Sequence, residues 1–389
     1  MPAVTYELKA TDGRSRAGVL RTPHGAVETP CFMAVATLGG LKGVTAEQAE
    51  RLGQGVMLGN TYHLALRPGA ETVHRLGGLH AFAGWNGPML TDSGGYQVFS
   101  LAANRVISDH GVVFRSHLDG TKLEMTPESS VRVQRLLGAD IIMAFDEFPP
   151  AGSTHDVAQR CNRRTADWLA RCVQAWRADD GTPGGAATQA LYGIVQGGTF
   201  ADLRAASARD ALAHDLPGYA IGGLAVGEAA AERNRVLDET VPLLPTDRPR
   251  YLMGVGTPLD LVEAVARGVD QFDCVLPTRM GRHGMAYHDD GPLRLKRVDH
   301  ALDRAPIDAD TPSDASRHSR GYLNHLLKSG EVLGGTLLSL HNLAYYNRLM
   351  RRMRAAILAG AFAAFADAFR ARYRDDMAGD EAIPAKDVG

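Results

Sequence analysis

A chain of 389 residues that is 45% apolar and 22% charged, with a formal net charge of −2, is composed like a globular protein, not like a disordered, fibrous or strongly basic one. No apolar stretch approaches the roughly 18 residues of a membrane span, and no basic segment followed by an apolar run marks the start, so a cytoplasmic protein is expected. Four scattered cysteines, Cys31, Cys161, Cys172 and Cys274, argue against a disulfide framework and for reduced, mostly buried thiols.

In chain order, apolar and β-branched runs that end in glycine or a polar residue predict strands over 29–37, 55–60, 88–94, 140–147, 190–197, 219–227, 250–256 and 271–277. Helical patterns fall between them, over 45–52, 126–137, 156–176, 200–214, 229–237 and 258–266. Short runs buried on both faces and alternating with helices imply a parallel sheet. Eight such units imply an α/β protein with a (β/α)8 TIM barrel. Two stretches break the alternation. Residues 112–125 read as a hairpin inserted after the third strand, and 289–336 as a polar insertion before the last helix. Helical periodicity returns over 337–373, broken near Gly360. One barrel domain over 1–375 is expected, with insertions at about 100–125 and 289–336 and a disordered tail over 376–389.

Asn60, Asp92, Asp146, Gln196, Gly223, Met253 and Asp273 each fall at or near the C-terminal end of a different predicted strand. Barrel enzymes assemble their sites at that end. A single aspartate there is often a helix cap, but three aspartates and a glutamine would need that explanation separately each time. A shared polar pocket is simpler. Positive charge is local: Arg279, Arg282, Arg294, Lys296 and Arg297 follow the strand that carries Asp273, and seven arginines lie between 348 and 374. The second run suits an ordinary solvated helix face equally well.

These residues fall in stretches that resemble the tRNA-guanine transglycosylase (queuine tRNA-ribosyltransferase) family from about residue 6 to about residue 373. The stretches are Leu58-Gly59-Asn60-Thr61-Tyr62-His63, Thr91-Asp92-Ser93-Gly94-Gly95-Tyr96-Gln97-Val98, Ala144-Phe145-Asp146-Glu147, Gly193-Ile194-Val195-Gln196-Gly197-Gly198, Ile221-Gly222-Gly223-Leu224-Ala225-Val226-Gly227-Glu228 and Phe272-Asp273-Cys274-Val275-Leu276-Pro277-Thr278-Arg279. The resemblance implies exchange of guanine at the anticodon wobble position of tRNA for a 7-deazaguanine base. In this scheme Asp273 is the nucleophile on the anomeric ribose carbon and Asp92 the proton donor and acceptor for the two bases. Paired carboxylates suit an oxocarbenium-like anomeric centre, and burial with like-charged neighbours should raise the pKa of Asp92.

The same resemblance implies that Asp146, Gln196, Gly223 and Leu224 read the base edge, with Asn60 in the same pocket. Tyr96 and Met253 would sandwich its ring, and Arg279 and Arg282 would hold the anticodon loop once the target nucleotide is flipped out. A homodimer is implied too, with Tyr322 and His325 at interface positions.

The chain departs from the family pattern in two places. The family's structural zinc uses three cysteines and a histidine, but Thr311, Ser313 and Ser316 align with the thiolates and only His341 remains. Neutral hydroxyls are poor zinc ligands, so no metal and no cofactor are expected. The insertion should then be held by Leu323, Leu326, Leu327 and Leu333 against the final helix. The second departure is Phe148, where bacterial members usually carry cysteine, whereas Val226 is of the bacterial type that accepts the small 7-aminomethyl-7-deazaguanine. Two other readings compete: a catalytically silent tRNA-binding relative and a barrel glycosidase. Retention of Asp92, Asp146 and Asp273 opposes the first, and a base-reading Gln196 with Gly-Gly-Leu opposes the second.

Overall fold

The computed structural model describes residues 3–101, 105–224 and 227–374. Eight strands close into a barrel in which each pairs parallel with its neighbours. They are β1 (Cys31–Val35), β2 (Val56–Gly59), β3 (Met89–Thr91), β4 (Ile141–Met143), β5 (Ala190–Val195), β6 (Gly218–Ile221), β7 (Arg250–Leu252) and β8 (Gln271–Cys274). Seven lie within the predicted runs, and β6 starts one residue before its run, at Gly218. Closure is between β8 and β1, where Gln271 faces Cys31 and Asp273 faces Met33. Strands such as β2 and β5 are buried at every position, as expected where side chains fill the interior on one face and meet helices on the other.

Helices wrap the barrel, and their starts follow local chemistry. Thr126 caps Pro127–Leu137 with Pro127 in its first turn, and Thr257 caps Pro258–Ala266 in the same way. The hairpin after β3 is present and gains a third short strand: Val106–Ile107, Val112–Arg115 and Lys122–Met125 form an antiparallel sheet. The last long helix is Val332–Leu358, followed past Gly360 by Phe362–Arg372. It begins five residues before the expected start at 337 because Gly334 and Gly335 belong to it. A Cβ on Gly335 would lie 3.2 Å from Arg282 Cα and one on Gly334 3.1 Å from Leu326 Cβ, so these glycines serve close packing and do not break the helix.

An antiparallel sheet that the sequence pattern does not predict, Thr5–Asp12, Ser15–Thr22 and Gly25–Thr29, precedes the barrel. Its first strand is largely exposed and reads as a polar loop. Val4, Leu20 and Val27 pack into one cluster with the barrel's inward side chains, among them Met33, Leu90, Tyr192 and Tyr251. The sheet thus plugs the N-terminal end. Carboxylates at that end are structural: Asp270, just before β8, accepts from Tyr6 Oη, Arg16 Nε and the Arg250 amide. The polar strand ends singled out above lie at the opposite, open end.

The insertion before the last helix has its own cluster, containing Ile307, Ala315, Leu323, Leu326, Leu327 and Leu338. Leu333 does not join it; nearly half of that residue is exposed on the first turn of the long helix. The arginines of the last two helices are largely structural. Arg354 donates to the carbonyls of Gly18 and Thr29, Arg370 pairs with Glu263, and Arg348, Arg352 and Arg372 turn toward Asp289 and Asp290.

Candidate active site

A cavity of about 380 Å³ opens at the C-terminal end of the strands. It is lined by every residue expected to act on the base or the anticodon loop: Asn60, Asp92, Tyr96, Asp146, Gln196, Gly223, Leu224, Met253, Asp273, Arg279 and Arg282. The ends of seven different strands, β2 to β8, and the segments that follow them bring them together, which is why they lie scattered over more than half of the chain.

Asp273 is the third residue of β8, with its side chain at the cavity wall. Its Oδ1 accepts from Tyr251 Oη at 2.6 Å and from the Gly254 amide at 2.8 Å. Burial raises its carboxyl above the usual range, and these two hydrogen bonds oppose that rise. Tyr251 was not anticipated. It sits on β7 two residues before Met253, so strand alternation puts both on the inward face, and that spacing was a usable signal.

Asp92 directly follows β3 and is held more closely. Oδ1 accepts from the amides of Thr61 at 2.8 Å and Gly94 at 3.1 Å, while Oδ2 accepts from Gln97 Nε2 at 2.9 Å and from Asn60 Nδ2. Burial nonetheless pushes its carboxyl up to about 6. Burial is the cause at Asp92, and the expected like-charge effect is felt at Asp146, whose carboxyl the Asp92 charge also raises. A group poised near 6 can both give and take a proton near neutrality.

Asp146 is buried to the same effect, its carboxyl pushed up to about 6 against hydrogen bonds from Gln196 and Ser93. Gln196 Nε2 donates to its Oδ2 at 2.6 Å, and Gln196 Oε1 is buried without a hydrogen-bond partner. A buried amide oxygen left open beside an open carboxylate is a place for a ligand's N–H groups. Gly223 next to them has φ +68°, a left-handed conformation that suits glycine.

Tyr96 is half exposed and Met253 partly buried at the cavity wall. Phe148 lines the cavity beside them, its ring stacked on Tyr96 at 5.7 Å and edge-on to Phe99 at 5.3 Å. Val226 lies outside the described residues, as does the tail over 376–389. His63 also lines the cavity and was not singled out; burial first, then His117 and Lys42, pull its imidazole down to about 4, so it is neutral at pH 7. Arg279 and Arg282 lie on the helix Leu276–His283 after β8, and Arg282 shares an adjoining groove with Lys42 and Lys296.

The residues aligned with zinc ligands do not fit a metal. Thr311 Oγ1 donates to Asp308 Oδ2 at 2.6 Å, and Ser316 Oγ donates to the Thr311 carbonyl at 3.1 Å and accepts from the Ser313 amide at 3.0 Å. His341 points Nε2 at the Tyr287 carbonyl, 2.8 Å away, and burial pulls its imidazole down to about 4. Ser313 Oγ and His341 Nδ1 are buried without hydrogen-bond partners, but one imidazole nitrogen beside a neutral hydroxyl does not make a tetrahedral zinc site. Among the described residues one His/Asp group is close enough to share an ion: His24, His80 and Asp140, at the barrel's other end. There the two imidazoles stack 3.5 Å apart and 14° from parallel, each on its own Asp140 oxygen. Nearly parallel rings cannot both direct an in-plane lone pair at one ion, so this trio is a hydrogen-bonded clasp.

Comparison with known proteins agrees with the geometry. The family model described as queuine tRNA-ribosyltransferase matches residues 12–375. Proteins named queuine tRNA-ribosyltransferase are similar throughout: one from Symbiobacterium thermophilum is 51% identical over 95% of this chain and 92% of its own length. Those from Brucella melitensis and Thermus thermophilus are each 50% identical, over 92% and 96% of this chain and 94% and 95% of their own. With a closed eight-stranded barrel and a family match over nearly its whole length, the chain belongs to the queuine tRNA-ribosyltransferase family.

Proposed function

We propose that this protein is a tRNA-guanine transglycosylase that exchanges the wobble guanine of a tRNA anticodon for a 7-deazaguanine base in queuosine biosynthesis. The carrying observation is one cavity with Asp273 and Asp92 on its walls and the open Asp146–Gln196 pair beside them. Asp273 Oδ attacks the anomeric carbon, the bond from that carbon to the guanine nitrogen breaks, and an ester between Asp273 and the ribose holds the tRNA. Asp92, protonated, supplies the proton that the departing guanine needs. The incoming base returns a proton to Asp92, attacks the same carbon and expels the Asp273 carboxylate. Donors and acceptors balance without a redox partner.

Base selection falls to Asp146, Gln196, Gly223 and Leu224, with Asn60 holding Asp92 and with Tyr96 and Met253 on the two ring faces. Phe148 narrows the wall beside Tyr96, which favours the small 7-aminomethyl-7-deazaguanine over bulkier bases. Arg279 and Arg282, continued by Lys42 and Lys296 along the adjoining groove, supply positive charge for the anticodon loop. Tyr322 and His325, exposed on the helix Arg320–Lys328, are the proposed contact with a second copy of the chain. The location proposed is the cytoplasm; among the described residues no helix is long and apolar enough to cross a membrane.

The test is incorporation of labelled guanine into unmodified tRNA, with Asp273→Asn as the partner variant. Exchange by the native protein, a denaturation-resistant tRNA adduct, and loss of both in Asp273→Asn are expected. Adduct formation by Asp273→Asn would remove that residue as nucleophile. Release of free sugar without labelling of tRNA would favour the glycosidase reading, and tRNA binding with neither reaction the silent relative.

A further inference from the structure

Arg204 is an arginine in an unfavourable place. It lies in the first turn of the helix Ala201–Leu212, where the helix dipole opposes a cation, and it is fully buried. Burial pulls its guanidinium down to about 9, so it is still charged at pH 7. Charged groups are seldom buried without strong partners, and its hydrogen-bond partners are backbone carbonyls: Gly198 O from Nε at 2.8 Å, and Val195 O and Gly222 O from Nη1 at 3.0 and 2.8 Å.

Those carbonyls belong to the ends of β5 and β6. Val195 precedes Gln196, and Gly222 precedes Gly223, so the two contacts on Nη1 tie together the strand ends that carry two parts of the base-reading wall. One turn along the same helix face, Ser207 Oγ accepts from the Gln196 amide at 2.9 Å. A helix on the outside of the barrel thus grips the backbone on both sides of the Gln196 side chain.

We propose that Arg204 is a positioning residue for base recognition: its fork fixes the spacing between the ends of β5 and β6, and so where Gln196 and Gly223 meet the base. It touches no substrate. An ammonium cannot copy the contact, because a lysine at 204 has no equivalent of Nε and a single nitrogen would have to serve three carbonyls. The proposal rests on the functional reading above, and its test separates the two.

Guanine binding is measured by calorimetry, and exchange into tRNA separately, for the full-length native chain, Arg204→Lys, Arg204→Met and Ser207→Ala. Arg204→Lys is expected to stay folded with native tRNA affinity while its guanine Kd rises at least tenfold. In exchange, KM for the base rises and kcat moves less. Ser207→Ala should shift Kd in the same direction by a smaller factor. Native guanine affinity in Arg204→Lys, or an equal loss of guanine and tRNA binding, would overturn the proposal. If both Arg204 variants fail to fold, native guanine affinity in Ser207→Ala overturns it and a weakened one supports it. A native protein that binds guanine but exchanges none would sink the functional reading while Arg204 is still tested by binding; one that binds no guanine would sink both.

Discussion

The phenol of Tyr251 donates to Oδ1 of Asp273 across 2.6 Å, from one barrel strand to the next. This bond stabilises the ionised carboxylate in a buried setting, so it makes the nucleophile available at lower pH. A hydrogen bond to a charged group is worth about 1.5–3 kcal/mol. In Tyr251→Phe the Asp273 carboxyl is expected to rise further, because the burial that already raises it remains and one opposing hydrogen bond is gone. The acidic limb of single-turnover adduct formation should move up by about one pH unit, equivalent to about 1.4 kcal/mol, while the alkaline limb set by Asp92 stays in place. A uniform loss at every pH would show that the phenol serves packing instead.

The Asp146 carboxyl is held at about 6 by burial, above the 3.8 it has when exposed, and the sign of its effect on stability follows. Folding favours the protonated form, so this contribution is fully present below about pH 4 and is lost as pH rises through about 6. By pH 7.5 the empty site carries a strain on the order of 3 kcal/mol, which a bound base relieves. Asp146→Asn removes it. The variant should unfold at higher urea concentration than the native protein at pH 7.5, match it near pH 4, and bind guanine at least tenfold more weakly. A variant less stable than the native protein at pH 7.5 would contradict this.

Much of this was legible in the sequence, for a physical reason. Parallel strands buried on both faces leave uninterrupted apolar runs, and the residue ending each run is forced to the rim, so Asp92, Asp146, Gln196 and Asp273 could be placed without a structure. Features that depend on contacts between distant segments could not. The strand Thr5–Asp12 looks like a loop because its polar residues face solvent. Tyr251 reads as core until its hydroxyl is seen to reach Asp273, and Arg204 reads as an exposed helix residue until the carbonyls above it are located. The arginines after 348 look like a nucleic-acid surface but chiefly tie the last helices to the rest of the fold.

Arg348 supplies a cross-link in the insertion. Its Nη2 donates to Asp289 at 2.7 Å and Asp308 at 3.2 Å, Arg352 holds the other oxygen of Asp289 at 2.8 Å, and Asp308 in turn takes the Thr311 hydroxyl. All three ion-pair side chains at the centre are buried or nearly so. Breaking a buried pair leaves an uncompensated charge, at a cost of about 3 kcal/mol or more. Arg348→Met is expected to lower stability by that amount, with protease cleavage appearing first within 289–331, while guanine binding by folded protein stays native. A stability change below about 0.5 kcal/mol, the size usual for surface substitutions, would show that the leucine cluster holds the insertion without this network.

The ion network bears directly on the metal. Where family members carry three thiolates, this chain has neutral hydroxyls, those of Thr311 and Ser316 already committed to Asp308 and to the Thr311 carbonyl, beside a histidine whose Nε2 faces a carbonyl. A metal stabilises only a fold that offers it ligands. The purified protein is therefore expected to hold well below one zinc per chain by elemental analysis, and a chelator should change neither its melting temperature nor base exchange. Reintroducing cysteine at 311, 313 and 316 tests the alignment from the other side: the triple variant should bind one zinc per chain with His341 as fourth ligand, and its stability should then become sensitive to chelator. Stoichiometric zinc in the native chain, lost together with the fold on chelation, would mean that the ligands have been placed wrongly. The stacked His24–His80 pair on Asp140 would not rescue the alignment, because that trio lies at the far end of the barrel from the insertion.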